Sequence, residues 1–104
     1  MAILQVITAS KADSTFATME EAQTAFTAEA QADAIKSKYI AALNNLQFSV
    51  EVDLDVDTQT LTYQRIWDEA AYNTFSSANS AEKAAAKARA EAAGWAITES
   101  VTTI

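Results

Sequence analysis

Apolar and polar positions alternate most cleanly over residues 48–56, FSVEVDLDV. Phe48, Val50, Val52, Leu54 and Val56 fall on one face, and Ser49, Glu51, Asp53 and Asp55 on the other, which is the period of a half-buried strand. A turn at residues 57–60 leads into a second strand, Leu61 to Trp67. A two-residue loop at Thr58-Gln59 sets Val56 against Leu61, Leu54 against Tyr63, Val52 against Arg65 and Val50 against Trp67. Outside, the same register sets Asp55 against Thr62 and Asp53 against Gln64. Thr-Gln is not a favoured pair for a type I′ turn, so a longer loop stays open.

Residues 2–9, AILQVITA, read as another strand. Leu4 and Val6 lie on one of its faces and Ile3 and Ile7 on the other, which places it centrally in a sheet. Thr18-x-x-Glu21 is a capping-box pattern that starts a helix. Helical composition then runs to Gln47, but one straight helix of that length would reach about 43 Å, too long for a four-stranded sheet. Met19, Ala22 and Phe26 share one face; Ala28, Ala32, Ile35, Tyr39, Ala42 and Leu46 share another. At about 100° per residue Phe26 and Ile35 point to opposite sides, which predicts a bend near Thr27. Asp68 caps a short helix carrying Tyr72 and Phe75, and Ser-Ser-Ala-Asn at 76–79 interrupts it. Residues 80–93 are helix formers ending at Gly94, a C′ glycine. Ala81, Ala84, Ala85, Ala88 and Ala92 form a small-residue face for close approach to a sheet or partner. Trp95 to Ile104 closes the chain as a strand, with Trp95, Ile97 and Val101 on one side.

Strand, helical region, hairpin, helical region, strand is the βαββαβ order. It implies a single α+β domain over 1–104, a two-layer (ferredoxin-like) antiparallel sheet with helices on one face. The opposite face is expected to carry Ile3, Gln5, Ile7, Glu51, Asp53, Gln64, Ile66 and Thr98. That mixed face can meet water or another subunit. Ile3, Ile7 and Ile66, together with Phe26, which is off the Ile35 stripe, therefore form the candidate interface of a homo-oligomer.

Fourteen acids against seven bases give a net charge of −7. Nucleic-acid affinity comes chiefly from Lys and Arg neutralising phosphates, so no nucleic acid is expected as partner. A basic protein partner is compatible with the acidity. The chain contains no cysteine and no histidine, and a single glycine. Disulfides, thiolate zinc sites, imidazole proton shuttles and Gly-rich phosphate cradles are excluded, and no cofactor is implied. No apolar run approaches the ~20 residues of a membrane span, so no membrane association is expected. MAILQV lacks the basic n-region of a signal peptide, and a cytoplasmic location is the expectation.

The alternate acids Glu51, Asp53, Asp55 and Asp57 imitate the opening of a calcium loop. Thr58 stands where that loop needs Gly and Gln64 where it needs Glu, so no metal site is assigned. A solvated strand face that guards an edge explains the row. Arg65 falls on the inward face of its strand and admits three readings. It snorkels at the sheet edge along Trp67, pairs with Glu99 of the last strand, or contacts a ligand anion. Trp67, Tyr72, Phe75 and Trp95 are expected to cluster in the core. Lys83, Lys87 and Arg89 suit the C-terminal end of a helix dipole. No pair of acids is visibly set in an apolar cleft, and no catalytic residue is assigned.

The segment Tyr63-Gln-Arg-Ile-Trp-Asp-Glu-Ala-Ala-Tyr72, strand end into helix start, resembles one found in short uncharacterised proteins of tailed bacteriophages. The resemblance implies a phage or phage-like origin, with the host cytoplasm as location, and no activity. A looser likeness joins the chain to dimeric α+β-barrel proteins, some of which are enzymes. Three functions follow as expectations. The first is a non-catalytic interaction or assembly module. The second is an acidic inhibitor of a host protein. The third is a small enzyme of the barrel kind, which requires a cavity between helices and sheet lined by Arg65 or Tyr63.

Overall fold

A computed structural model describes the whole chain, Met1–Ile104. The elements are β1 (Ala2–Lys11), α1 (Met19–Ala30), α2 (Asp33–Asn44), β2 (Phe48–Asp55), β3 (Thr60–Asp68), α3 (Glu69–Ala92) and β4 (Trp95–Thr103). The strands form one antiparallel sheet in the order β2-β3-β1-β4, with β1 and β3 central. This is the ferredoxin-like α+β arrangement, with the first helical region split in two.

The Thr18 cap forms: Thr18 Oγ1 accepts from the Glu21 amide, while the Glu21 side chain accepts from the amide of Ala17, one residue before the N-cap. The split lies at Gln31, in the left-handed region with φ 49°, rather than near Thr27. There the Gln31 amide donates to Ala28 O and the Ala32 amide to Thr27 O, so the last turn of α1 closes on itself. The turn rotates α2 so that Phe26 and Ile35, which would oppose each other on one straight helix, line the same cavity.

Between β2 and β3 the register is Leu54 opposite Leu61, Val52 opposite Tyr63, Val50 opposite Arg65 and Phe48 opposite Trp67. This is two residues from the pairing of a two-residue loop. Asp55 Oδ1 accepts from the amides of Asp57 and Thr58, an Asx-type turn that stops the ladder at Asp55–Thr60. A slip of two keeps every side chain on its own face. From this loop the Gln59 side chain donates to Phe16 O and accepts from the Phe16 amide, fastening the connection that precedes α1.

No break occurs at 76–79. The buried Asn79 turns its amide back on the helix, donating to Phe75 O, and α3 runs unbroken. Gly94 follows with φ 100°, the C′ position read from the sequence. The buried small face of α3 is Ala86 and Ala90, whereas Ala81, Ala84, Ala85, Ala88 and Ala92 are exposed.

The strand β1 turns the other way from the sequence reading. Ile3, Gln5, Ile7 and Ala9 stand opposite Trp67, Arg65, Tyr63 and Leu61, on the face under the helices. Ile3 is 4% exposed and Gln5 is wholly buried. Apolar residues stand on both faces of β1, with the polar Gln5 on one and Thr8 on the other, so the alternation alone does not say which face turns inward. Here the hydrogen bonds of Gln5 are satisfied inside. Leu4, Val6 and Ile66 occupy the open face instead, where Leu4 and Ile66 are directly opposed.

Candidate functional site

The helices do not close fully on the sheet. Between α1, α2, α3 and the inner faces of the four strands lies a cavity of about 500 Å³, within the ~300–1,000 Å³ usual for small-molecule sites. Ile35, Tyr39 and Leu43 of α2 form its roof, and Phe48, Val52 and Tyr63 its floor, with Ile7 and Ile97 behind. It opens past exposed residues of the two helices, Lys36 and Ile40 on α2 and Ser80, Ala84 and Lys87 on α3.

Arg65 enters this cavity from the centre of the sheet. It is 7% exposed, so it does not snorkel. Its guanidinium carbon sits 3.8 Å from the centre of the Tyr39 ring, 5.0 Å from Tyr63 and 5.9 Å from Phe48. These rings offer their π-faces to the cation, and neither tyrosine hydroxyl accepts a hydrogen bond from it. Nε and Nη1 are buried without a partner. Burial lowers the Arg65 pKa, against the pull of Tyr39, Tyr63 and Glu99. The group still carries its charge, because guanidinium is not deprotonated in proteins.

Glu99 shares the inner face but is not the ion-pair partner of Arg65. It binds Lys83 Nζ at 2.8 Å and accepts from Gln5 Nε2 at 2.7 Å. Burial opposes the Glu99 charge, but these hydrogen bonds and the Lys83 and Arg65 charges outweigh it, and the carboxyl pKa is lowered. Lys83 is likewise opposed by burial, yet its bond to Glu99 raises its pKa overall. Gln5 completes the network, with Oε1 accepting from Trp67 Nε1 at 2.9 Å and Nε2 also reaching Tyr39 Oη at 3.3 Å. Beside Arg65, burial raises the Tyr63 phenol pKa, partly offset by Gln23 and by the Arg65 charge.

The remaining candidate residues separate. Ile3 and Ile7 lie under the helices, and Phe26 packs edge-on against Trp95 with ring centroids 5.1 Å apart. Of the proposed interface set, only Ile66, 46% exposed, stands on the open face. The aromatic group divides as well. Trp67 packs with Phe48, Tyr72 and Phe75, whereas Trp95 joins Phe16 and Phe26 at the other end of the core. Arg89 does not merely complement its own helix: Nε and Nη2 donate to the carbonyls of Ala30 and Gln31, capping α1. Glu51, Asp53, Asp55 and Asp57 are exposed, and no group of three or more acidic side chains is placed to hold a metal ion. No helix is long and apolar enough to cross a membrane.

From the sequence, a cavity lined by Arg65 or Tyr63 is a requirement of the enzyme alternative alone, and a ligand anion is one of three readings of Arg65. An arginine at an inward position of an alternating strand, with aromatic neighbours, is the mark of a buried cation. No family model, curated protein or solved structure matches the chain.

Proposed function

We propose that the protein is a non-catalytic interaction module whose partner is a small amphipathic organic anion, held with its acidic group at Arg65 and its apolar body in the cavity. One observation carries this reading: a buried guanidinium lines an apolar cavity with Nε and Nη1 unpaired. Removing a charge from water costs several kcal/mol unless a counter-charge or hydrogen bonds offset it. Stacking on Tyr39 offsets part of that cost. An anion in the cavity would supply the rest, and arginine's planar fork suits a carboxylate.

Thermal melts with matched pairs of carboxylic acids and their primary amides test the reading. The acids are expected to raise the melting temperature, the amides not to, and Arg65→Met to abolish the response. Equal shifts with acids and amides, or a response that survives in Arg65→Met, would sink it. The enzyme reading also draws support from the cavity, since Tyr63 and Arg65 both line it. Chemical conversion of a bound acid, followed by mass spectrometry, would favour that alternative.

A further inference from the structure

Basic residues are scarce in this chain, seven against fourteen acids. Four of the seven, Lys36, Arg65, Lys83 and Lys87, line the one cavity, together with a single acid, Glu99. Lys83 and Glu99 neutralise each other at 2.8 Å. What remains is an inner cation, Arg65, and two cations at the opening, Lys36 on α2 and Lys87 on α3. Neither lysine takes part in an ion pair. Most of the remaining lining is apolar, including Ile35, Leu43, Val52 and the Tyr39 ring.

We infer that the ligand carries two acidic groups joined by an apolar body, one at Arg65 and one at the opening between Lys36 and Lys87. The inference rests on the anion-binding reading above and specifies the ligand class. A mono-acid would satisfy Arg65 but leave its apolar tail between two unpaired ammonium groups. A second acid places charge opposite charge, and the excess of positive groups steers dianions into a protein whose net charge otherwise repels them. The inner contact is buried and weakly screened by salt; the outer one is exposed and strongly screened.

Calorimetric titration with linear α,ω-dicarboxylates, and with monocarboxylates of the same chain length, tests this in the wild type, Arg65→Met and Lys36→Gln/Lys87→Gln. Melting curves would establish that each variant folds. Dicarboxylates are expected to bind more tightly than monocarboxylates by roughly three- to tenfold, the scale of two exposed ion pairs. The double lysine variant and high salt should both erase that margin while leaving monocarboxylate binding in place. Equal affinities for the two series, or a margin that survives in the double variant, would overturn the two-acid inference and leave the Arg65 reading standing. Binding of neither series in an Arg65-dependent way would overturn both.

Discussion

Gln5 stands directly opposite Arg65 in the β1–β3 ladder, yet its side chain hydrogen-bonds to Trp67, Glu99 and Tyr39 and not to Arg65. The amide of its ladder partner is thereby committed elsewhere. Glu99, the one acid of the cavity, is committed to Lys83 and Gln5. The free charge on Arg65 thus follows from how its neighbours are paired.

Replacement of Arg65 by methionine follows from this. The variant keeps an unbranched side chain that ends at the level of Arg65 Nε and removes a buried charge. It is expected to be more stable than the wild type without ligand, by about 1–4 kcal/mol, the range seen when buried ions give way to apolar residues. Urea unfolding of both proteins checks it. A less stable variant would mean that stacking on Tyr39, Tyr63 and Phe48 alone offsets the desolvation of the charge.

Phe26 tests the core directly. It lies against Trp95 and lines the cavity, so Phe26→Ala removes packing rather than an exposed group. The expected loss is about 2–4 kcal/mol, and Phe26→Asp should not yield a folded chain. Chemical denaturation, with circular dichroism for the Asp variant, gives the answer. A folded and unperturbed Phe26→Asp would return Phe26 to the surface, where the reading of the stripe had put it.

Much of the fold was legible because its signals are local. The alternation of residues 48–56, the Thr18–Glu21 capping box, the Asp68 cap and Gly94 each name their element without help from the rest of the chain. The errors came partly where a partner distant in sequence decides the outcome, and partly where a local contact carries no compositional mark. Gln5 is polar and was placed outward, since nothing in AILQVITA announces Trp67 and Glu99, which satisfy it inside. Asn79 has the composition of a break, but its amide bonds back to Phe75 O and the helix continues. Phe26 and Ile35 were correctly separated on a straight helix, but a left-handed turn at a glutamine carries no sequence mark. Arg65 was legible as an inward cation. That Glu99 would be taken by Lys83 was not, because that pairing depends on how α3 packs against β4.

Glu99 should contribute to acid sensitivity beside Glu29, whose pKa is lowered by its bonds to Lys11 and Trp95. The Glu99 pKa is lowered in the folded chain, so it contributes stability above its unfolded value, about 4.3. That contribution is lost as pH falls through the lower folded value. Lys83 acts at the other end of the range, since its raised pKa contributes stability below about 10.4 that is lost as pH rises through the folded value. The melting temperature of Glu99→Gln should therefore fall less steeply below about pH 4 than that of the wild type. Both groups are partly exposed, so the difference should shrink in high salt. Parallel acid limbs in the two proteins would assign the acid loss to other carboxylates.

Leu46 supplies a prediction independent of the cavity. It follows α2 at the C′ position with φ 57°, the left-handed region, while the Gln47 amide donates to Ala42 O and the Leu46 amide to Leu43 O. That is the hydrogen-bond pattern of a Schellman end, where glycine is usual because a Cβ is strained there. The strain is about 1–2 kcal/mol for an ordinary residue. The sequence reading counted Leu46 in the α2 stripe, but it is 88% exposed, so its side chain returns almost no burial energy. Glycine would relieve the strain and add unfolded-state entropy worth about 0.5–1 kcal/mol. Leu46→Gly should therefore stabilise the fold by about 0.5–1 kcal/mol, whereas Leu46→Ala should change little. Thermal unfolding of the two variants beside the wild type decides it. A Leu46→Gly protein that melts lower would show that this leucine is covered in solution, and the surface after α2 would then become the place to look for a contact between copies.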